Sequence, residues 1–289
     1  MFKDARNAQI LFLSLFLGLG VSTRDWTVQP ELILVVICTC LLTQALMMGL
    51  QDLNSPSTQI EIGCQPTLFS WKSALITALG LCLLLRANSW TTMVLASVFA
   101  IASKFIFHYR GKHFFNPANF GIIAALTLTS DAWVSPGQWG TESLYVLLFL
   151  GLGGMILKQV GRWETSATFL ASYAGLEAVR HVYLGWSFDV FTHQLMSGSL
   201  LLFALFMLTD PRSIPNASIG RILWAISIAL LTFILQHSLF LPTALFWALF
   251  VLSPLTLVFD KIWLAPQFKW LKTKFNTPSL HNRYLKIDF

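Results

Sequence analysis

The sequence predicts an all-α, polytopic membrane protein of about ten transmembrane helices, arranged as two inverted five-helix repeats. Three observations carry the prediction. The 289 residues are 55% hydrophobic and only 11% charged, with a mean hydropathy of +0.66, well outside the range of a soluble domain. Apolar runs close to the roughly 17 to 25 residues that cross a hydrocarbon core recur along the chain, separated by short polar connections. Features of the first half also return in the second.

In chain order the predicted spans are 8–22, 30–50, 71–86, 90–107, 114–130, 143–157, 165–180, 195–209, 219–236 and 243–259. The first follows Lys3 and Arg6 as a signal peptide would, but Gly20 to Arg24 is a poor small-residue cleavage site, so the segment is read as a helix. The third and eighth spans are unusually short. The fifth and tenth open on Pro117 and Pro242, at helix starts where the missing N–H is an orphan anyway.

Charge sets the expected orientation. With both termini on one side, sixteen of the nineteen Lys and Arg residues fall there and only Arg24, Arg86 and Arg180 fall opposite. That positive-inside bias predicts cytoplasmic termini in a multi-pass protein of the cell inner membrane. The excess of positive charge, +6 at pH 7, therefore points to the bilayer as partner and not to nucleic acid. Trp263, Phe268 and Trp270, interleaved with Lys261, Lys269 and Lys272, suit an interfacial anchor on an anionic leaflet.

A shift of 126 residues lays Ser73–Leu79 over Ser199–Leu205, the starts of spans three and eight; a shift of 125 lays Phe115 and Pro117 over Phe240 and Pro242. Five spans per half, an odd number, forces the copies into opposite orientations. The chain accordingly divides into a first repeat, 1–135, a second, 136–264, and a basic cytoplasmic tail, 265–289. Inverted repeats commonly enclose a site near the membrane midplane, built from short or proline-interrupted helices at equivalent positions.

Three polar islands are the candidates for that site. Lys112 to Gly121 enters span five: Asn116 before Pro117 is a natural N-cap, whereas Asn119 lies within the helix, where an amide needs a partner or a cavity. Thr209, Asp210 and Pro211 close span eight. There Asp210 either caps the following turn or sits at membrane depth, where carboxylates are costly and usually functional. Glu164, Thr165 and Ser166 open span seven, with Glu164 suited to the helix macrodipole and to pairing with Arg162. Elsewhere the bland readings hold. Cys38, Cys40, Cys64 and Cys82 form no C-x-x-C, and no metal site is expected. Gly151, Gly153 and Gly154 lie inside span six without a preceding strand and read as close helix packing, not as a dinucleotide fingerprint. His181 and His193 are placed in the connection after span seven, and His237 in that after span nine.

The segments Lys112–Gly121 and Gly198–Pro211 resemble the NqrB/RnfD family, the flavin-carrying membrane subunits of the sodium-pumping NADH:quinone oxidoreductase and of the Rnf ferredoxin:NAD complex. Glu164-Thr165-Ser166 is similar to the family's Gly-Glu-Thr-Ser. The resemblance runs from about residue 70 to 260. It implies ten helices, a urea-channel-like inverted repeat, partner subunits for electron transfer, and a cofactor-binding site formed by Asn116, Pro117, Asn119, Phe120, Glu164, Thr165, Ser166, Thr209 and Asp210.

The chain also departs from the family. Members with covalent flavin mononucleotide attach it to the final threonine of Ser-Gly-Ala-Thr, after an aspartate, in the connection following the fifth helix. Here that connection reads Asp131 to Thr141, with Asp131 and Ser135 in approximate register and no Ala-Thr after them. Thr141 is the remote alternative acceptor, and the loop otherwise reads as a Pro-Gly turn with interfacial Trp133 and Trp139. The resemblance thus implies a membrane subunit of an Rnf/Nqr-like complex that binds FMN or riboflavin noncovalently and contributes to redox-driven ion transport. The alternative is a small-solute or flavin channel without redox activity. Asp210 is expected to polarise or relay a proton or cation.

Overall fold

The computed structural model describes residues 4–23, 29–54, 71–134, 139–140 and 142–268. Lys3, Arg24, Cys64, Ser135, Thr141, Lys269, Trp270, Lys272 and nearly all of the 265–289 tail lie outside the described residues, and the expectations placed on them lie outside as well.

The chain is mostly helical. Its elements are α1 (Ala5–Thr23), α2 (Pro30–Asn54), α3 (Trp71–Leu84), β1 (Leu85–Ala87), α4 (Trp90–Ile106), β2 (His108–Tyr109), β3 (Lys112–His113), α5 (Pro117–Leu128), β4 (Ala132–Val134), α6 (Ser143–Val160), α7 (Trp163–Leu184), α8 (Phe188–Leu195) and α9 (Gly198–Leu202). A π-helical turn (Phe203–Met207) continues α9, and α10 (Ser218–Ser238), α11 (Ala244–Leu252) and α12 (Leu255–Ile262) follow. The strands form only two short antiparallel ribbons among the described residues, β1 with β4 and β2 with β3.

Four of the described helices, α1, α2, α6 and α10, are long and apolar enough to cross a membrane, and the number rises to six if each of two bent pairs is one span. The pairs are α8 with α9 and its π-helical turn, bent by 44°, and α11 with α12, bent by 47°. Between the α11 and α12 segments stand Ser253 and Pro254, and a proline inside a helical run removes a donor and forces such a bend. Helices α3, α4 and α5 are apolar but shorter. The 14 residues of α3 rise roughly 21 Å and the 12 of α5 roughly 18 Å, short of the ~30 Å hydrocarbon core. Each is followed by a strand of the β1–β4 ribbon, which pairs Leu85 with Val134 and Arg86 with Trp133. Leu85 and Val134 are buried.

Helix packing follows the rules of an apolar solvent, in which small residues and shape, not hydrophobicity, bring helices together. A Cβ on Gly121 would sit 2.5 Å from the Ala96 carbonyl oxygen and 2.8 Å from the Ala100 methyl, so α5 lies directly on α4. Of the three span-six glycines only Gly153 meets a neighbour, Leu205 of the π-helical turn; Gly151 and Gly154 face open space. The segment from Gly198 to Leu208 is buried throughout, which makes this stretch the centre of the molecule. Phe16 of α1 and Phe169 of α7 pack on it, with ring centroids 5.5 Å from Phe206 and Phe203.

Helices α7 and α10 run side by side in the same direction, because their starts are joined through Glu164 and Arg221 and their far parts through Glu177 and His237. Two boundaries read from the sequence are corrected here. α7 extends to Leu184, so His181 lies within the helix and is buried, not in the following connection. α10 likewise carries His237 in its last turn.

Candidate functional site

The three polar islands converge on the π-helical turn. Asn116 does cap α5, its Oδ1 accepting from the Asn119 N–H at 3.0 Å with Pro117 as the first helical residue. Its Nδ2 donates to the Met207 carbonyl at 3.0 Å. From α7, the Ser166 hydroxyl donates to the Ala204 carbonyl at 2.5 Å. The wide π-helical winding leaves these carbonyls open to partners from other helices. Such turns recur at functional sites.

Asn116, Pro117 and Asp210 line one cavity of about 80 Å³, together with Arg6, His113 and Arg212. His113 donates from Nε2 to Asp210 Oδ2 at 3.3 Å, and the Arg212 N–H donates to Asp210 Oδ1 at 3.2 Å. Burial pushes the His113 imidazole below its ordinary pKa and outweighs the pull of Asp210. Burial alone would raise the Asp210 carboxyl, but the hydrogen bond and charge of His113, with Arg212, hold it below the usual value. The site therefore presents a buried carboxylate hydrogen-bonded to an imidazole, with two guanidinium groups at the cavity wall.

The remaining predicted residues sit around that centre. Asn119 donates from Nδ2 to the Phe246 carbonyl of α11 at 3.1 Å, while its buried Oδ1 has no hydrogen-bond partner among the described residues. Phe120 belongs to an aromatic cluster with Phe107, Phe115 and Phe250. The Thr209 hydroxyl bonds back to the Leu205 carbonyl at 2.8 Å. Thr165 is fully buried, with its hydroxyl unpartnered among the described residues. Glu164 turns to α10, accepting from Arg221 Nε at 2.9 Å and more closely from Nη2. Its expected partner Arg162 donates instead to the Asn216 carbonyl at 2.8 Å.

Sequence reasoning missed the layer that holds the 208–217 loop in place. Lys112, only 5% exposed, donates to Asp260 at 2.5 Å and to the Ile214 carbonyl at 2.6 Å. Asp260 also accepts from the Asn216 N–H at 2.7 Å. Burial pushes Lys112 below its ordinary pKa against the pull of Asp260. The available signal was Asp260 itself, an acid at the end of the tenth apolar run. Its partner is 148 residues away, which no local pattern reveals.

A larger cavity, about 500 Å³, lies at the opposite ends of α3 and α4, lined by Glu31, Cys82, Arg86, Trp90, Met93 and Trp133 among others. Arg86 anchors its wall, donating to the Cys82 and Leu85 carbonyls at 2.7 and 2.8 Å. Nearby, Asp131 accepts from Thr92 Oγ1 at 2.6 Å and from the Ser89 N–H at 2.9 Å. Those hydrogen bonds, that of Thr92 foremost, hold its carboxyl down at about 2.

Apolar helices closed around a π-helical turn whose carbonyls accept from polar side chains of other elements define an integral membrane protein with an internal polar site. Residues 129–269 match the family model described as the NQR2, RnfD, RnfE family, and over that segment the chain is related to this family. Three relatives carry the name of one and the same subunit of an ion-translocating oxidoreductase complex. The chain is 30% identical over 122 residues to the one from Halorhodospira halophila, covering 42% of this chain and 34% of that protein. The Stutzerimonas stutzeri protein is 30% identical over 133 residues, 44% and 36% of the two chains. That of Alcanivorax borkumensis is 25% identical over 246 residues, 63% and 70%. The matched region thus spans about a third of the length of the first two relatives. The family is the one that the polar islands resemble.

Proposed function

We propose that the chain is a membrane subunit of an Rnf/Nqr-like electron-transport complex, contributing to redox-driven ion transport alongside other membrane subunits. The observation that carries the reading is the convergence of Asn116, Ser166 and Asp210 on the buried Phe203–Met207 turn, within a chain whose relatives are named as subunits of an ion-translocating oxidoreductase complex. In this reading Asp210, Asn116 and His113 form the ion- or proton-handling centre. A cavity of about 80 Å³ suits a few waters or one small ion, whereas drug-sized ligands occupy pockets of roughly 300 to 1,000 Å³.

A noncovalent FMN or riboflavin is therefore assigned to the larger cavity. Trp90 and Trp133 would supply stacking surface for a flat ring system and Arg86 a cation for a phosphate. A bound flavin supplies one- and two-electron transfer; the protein's own residues position it and limit water.

The reading includes ten spans in two inverted repeats, 1–135 and 136–264, with a basic tail from 265 and both termini cytoplasmic. All ten predicted runs coincide with helices or bent helix pairs. Helix α2 packs on α4 as α7 does on α10, α4 on α5 as α10 on α11, and α1 on α3 as α6 on α9. The pairs α1–α6 and α5–α11 meet across the two halves, as equivalents related by a pseudo-twofold would.

Purification of the full chain in mild detergent tests the reading. Flavin absorption that leaves with the supernatant on acid precipitation, and other membrane subunits that copurify, are expected. A colourless chain purified without partners favours the second reading, a small-solute channel, which the absence of Ala-Thr after Ser135 and the small inner cavity support. Reporter fusions at both ends should place them in the cytoplasm.

A further inference from the structure

The far half of the α7–α10 pair holds a second ionisable cluster, remote from Asp210. Glu177 lies 13 residues beyond Glu164, about 20 Å along the helix. It is completely buried. Its Oε1 accepts from His237 Nε2 at 2.6 Å, and its Oε2 has no hydrogen-bond partner among the described residues. One turn on, His181 uses Nδ1 to donate to the Glu177 carbonyl at 2.8 Å and places that nitrogen 3.9 Å from Glu177 Oε2. His181 Nε2 is buried and equally without a partner among the described residues. Trp186 and Phe191 close over the His181 ring edge-on.

We propose that Glu177, His237 and His181 form a proton-binding site at the far end of the α7–α10 pair, taking up one proton per chain. A carboxylate and two imidazoles inside a bundle of apolar helices are costly, and are retained mainly where they bind or move charge. Most buried polar side-chain atoms in folded proteins have a hydrogen-bond partner. Here two remain unsatisfied, one on the acid and one on the second base.

The proton balance is simple. With Glu177 ionised and His237 neutral, the pair carries one negative charge in a low-dielectric setting. A proton from water entering at His237 gives a carboxylate–imidazolium pair, or equivalently a carboxylic acid beside neutral imidazole, and the site becomes neutral. His237 is the entry point because its side chain remains 16% exposed at the end of α10, while that of Glu177 is 0% exposed.

The other charged or titratable groups around the site are accounted for. Tyr173, one turn before Glu177 on α7, lies close enough to feel the carboxylate. Its hydroxyl donates to Gln236 at 2.8 Å and accepts from Gln194 at 3.3 Å, and it is also near enough to interact with the Glu177 side chain. Arg180 stacks over Trp186, 4.6 Å from its ring centroid. On α8, Asp189 and His193 pair with each other at 3.5 Å in an exposed position. Among the described residues no group of three or more His, Cys, Asp or Glu side chains is arranged to hold a metal ion.

Infrared pH-difference spectroscopy on the full chain in lipid tests the site without a cofactor or partner, so its outcome is separable from that of the flavin experiment. Between about pH 5 and about pH 9, the span in which imidazole-linked groups titrate, a transition of this cluster is expected in addition to those of the chain's other histidines. It should vanish in Glu177→Gln and move by at least about one pH unit in His237→Gln. Should Glu177→Gln not fold, His237→Gln decides alone, since its partly exposed amide preserves the hydrogen bond to Glu177. A wild-type difference spectrum matched by that of Glu177→Gln, or a transition unchanged in His237→Gln, overturns the proposal and leaves a structural hydrogen bond.

Discussion

The two ends of the α7–α10 pair use the same chemistry to opposite effect. At the near end Glu164 meets Arg221, each of whose three guanidinium nitrogens donates: Nε and Nη2 to Glu164 Oε1, and Nη1 to the Pro215 and Asn216 carbonyls, while Ser218 donates to the same carboxylate oxygen. At the far end Glu177 meets His237 with one carboxylate oxygen and one neighbouring imidazole nitrogen left over among the described residues. Saturation marks the first as a clamp on the 208–217 loop. The unsaturated atoms mark the second as a place where charge can change. A buried acid–base pair is therefore read by what it leaves unpaired, since its strength alone says little: such pairs are weak evidence of stabilisation but severe liabilities when broken on one side.

The comparison is most readily broken at the saturated end. Arg221→Met leaves Glu164 and two loop carbonyls without a cation, and a loss of about 3 kcal/mol is expected, measured by thermal or denaturant unfolding in detergent. An unchanged midpoint would mean that the clamp is ornamental.

Lys112 holds the same loop from its other side. Lys112→Met strands Asp260, and a loss of about 2 kcal/mol is expected. The double variant Lys112→Met with Asp260→Leu should regain a good part of it, because removing both partners is far milder than removing one. A double variant as unstable as the single would show that the Ile214 and Asn216 contacts, not the charge pair, carry the effect.

Glu177→Gln is expected to be milder still, within about 1 kcal/mol, because a neutral amide accepts from His237 without leaving a buried charge. A loss as large as that for Arg221→Met would place Glu177 with the structural clamps.

The smallest effect concerns Asp131, hydrogen-bonded to Thr92 and to the Ser89 N–H at the start of α4. Its carboxyl is lowered from 3.8 to about 2, so the folded chain binds its proton more weakly than the unfolded one. The resulting stabilisation is complete above the ordinary carboxylate value and fades as pH falls through the folded value. Melting temperatures of the wild type and of Asp131→Asn should therefore differ at neutral pH and converge on acidification toward pH 2. A gap that stays constant with pH would attribute it to packing instead.

Much of the architecture was legible in local pattern. The shortness of spans three and eight corresponds to α3 and to the α9–π-helical stretch, Pro117 opens α5, and Pro242 stands just ahead of α11. The Asn116 cap was readable because capping is local: a side chain accepts from an N–H three residues on. Other features were not readable. Arg162 sits two residues from Glu164, yet the acid pairs with Arg221, 57 residues away. Glu177 stood in plain view as a lone acid in an apolar run, but its meaning depends on His237 being delivered to it by a parallel neighbour.

The sequence by itself determined that this is a helical membrane protein, where its helices run, which polar islands interrupt them and which family it resembles. These follow from composition, periodicity and short-range chemistry, all properties of contiguous residues. Only the tertiary structure decided that the islands meet on one π-helical turn, that Lys112 is neutralised by Asp260, and that the acid–base pairs along α7 and α10 end in different states of satisfaction. Those outcomes depend on which helices become neighbours. In an apolar solvent that choice is made by close packing and hydrogen-bond pairing between distant segments, which a linear pattern does not encode.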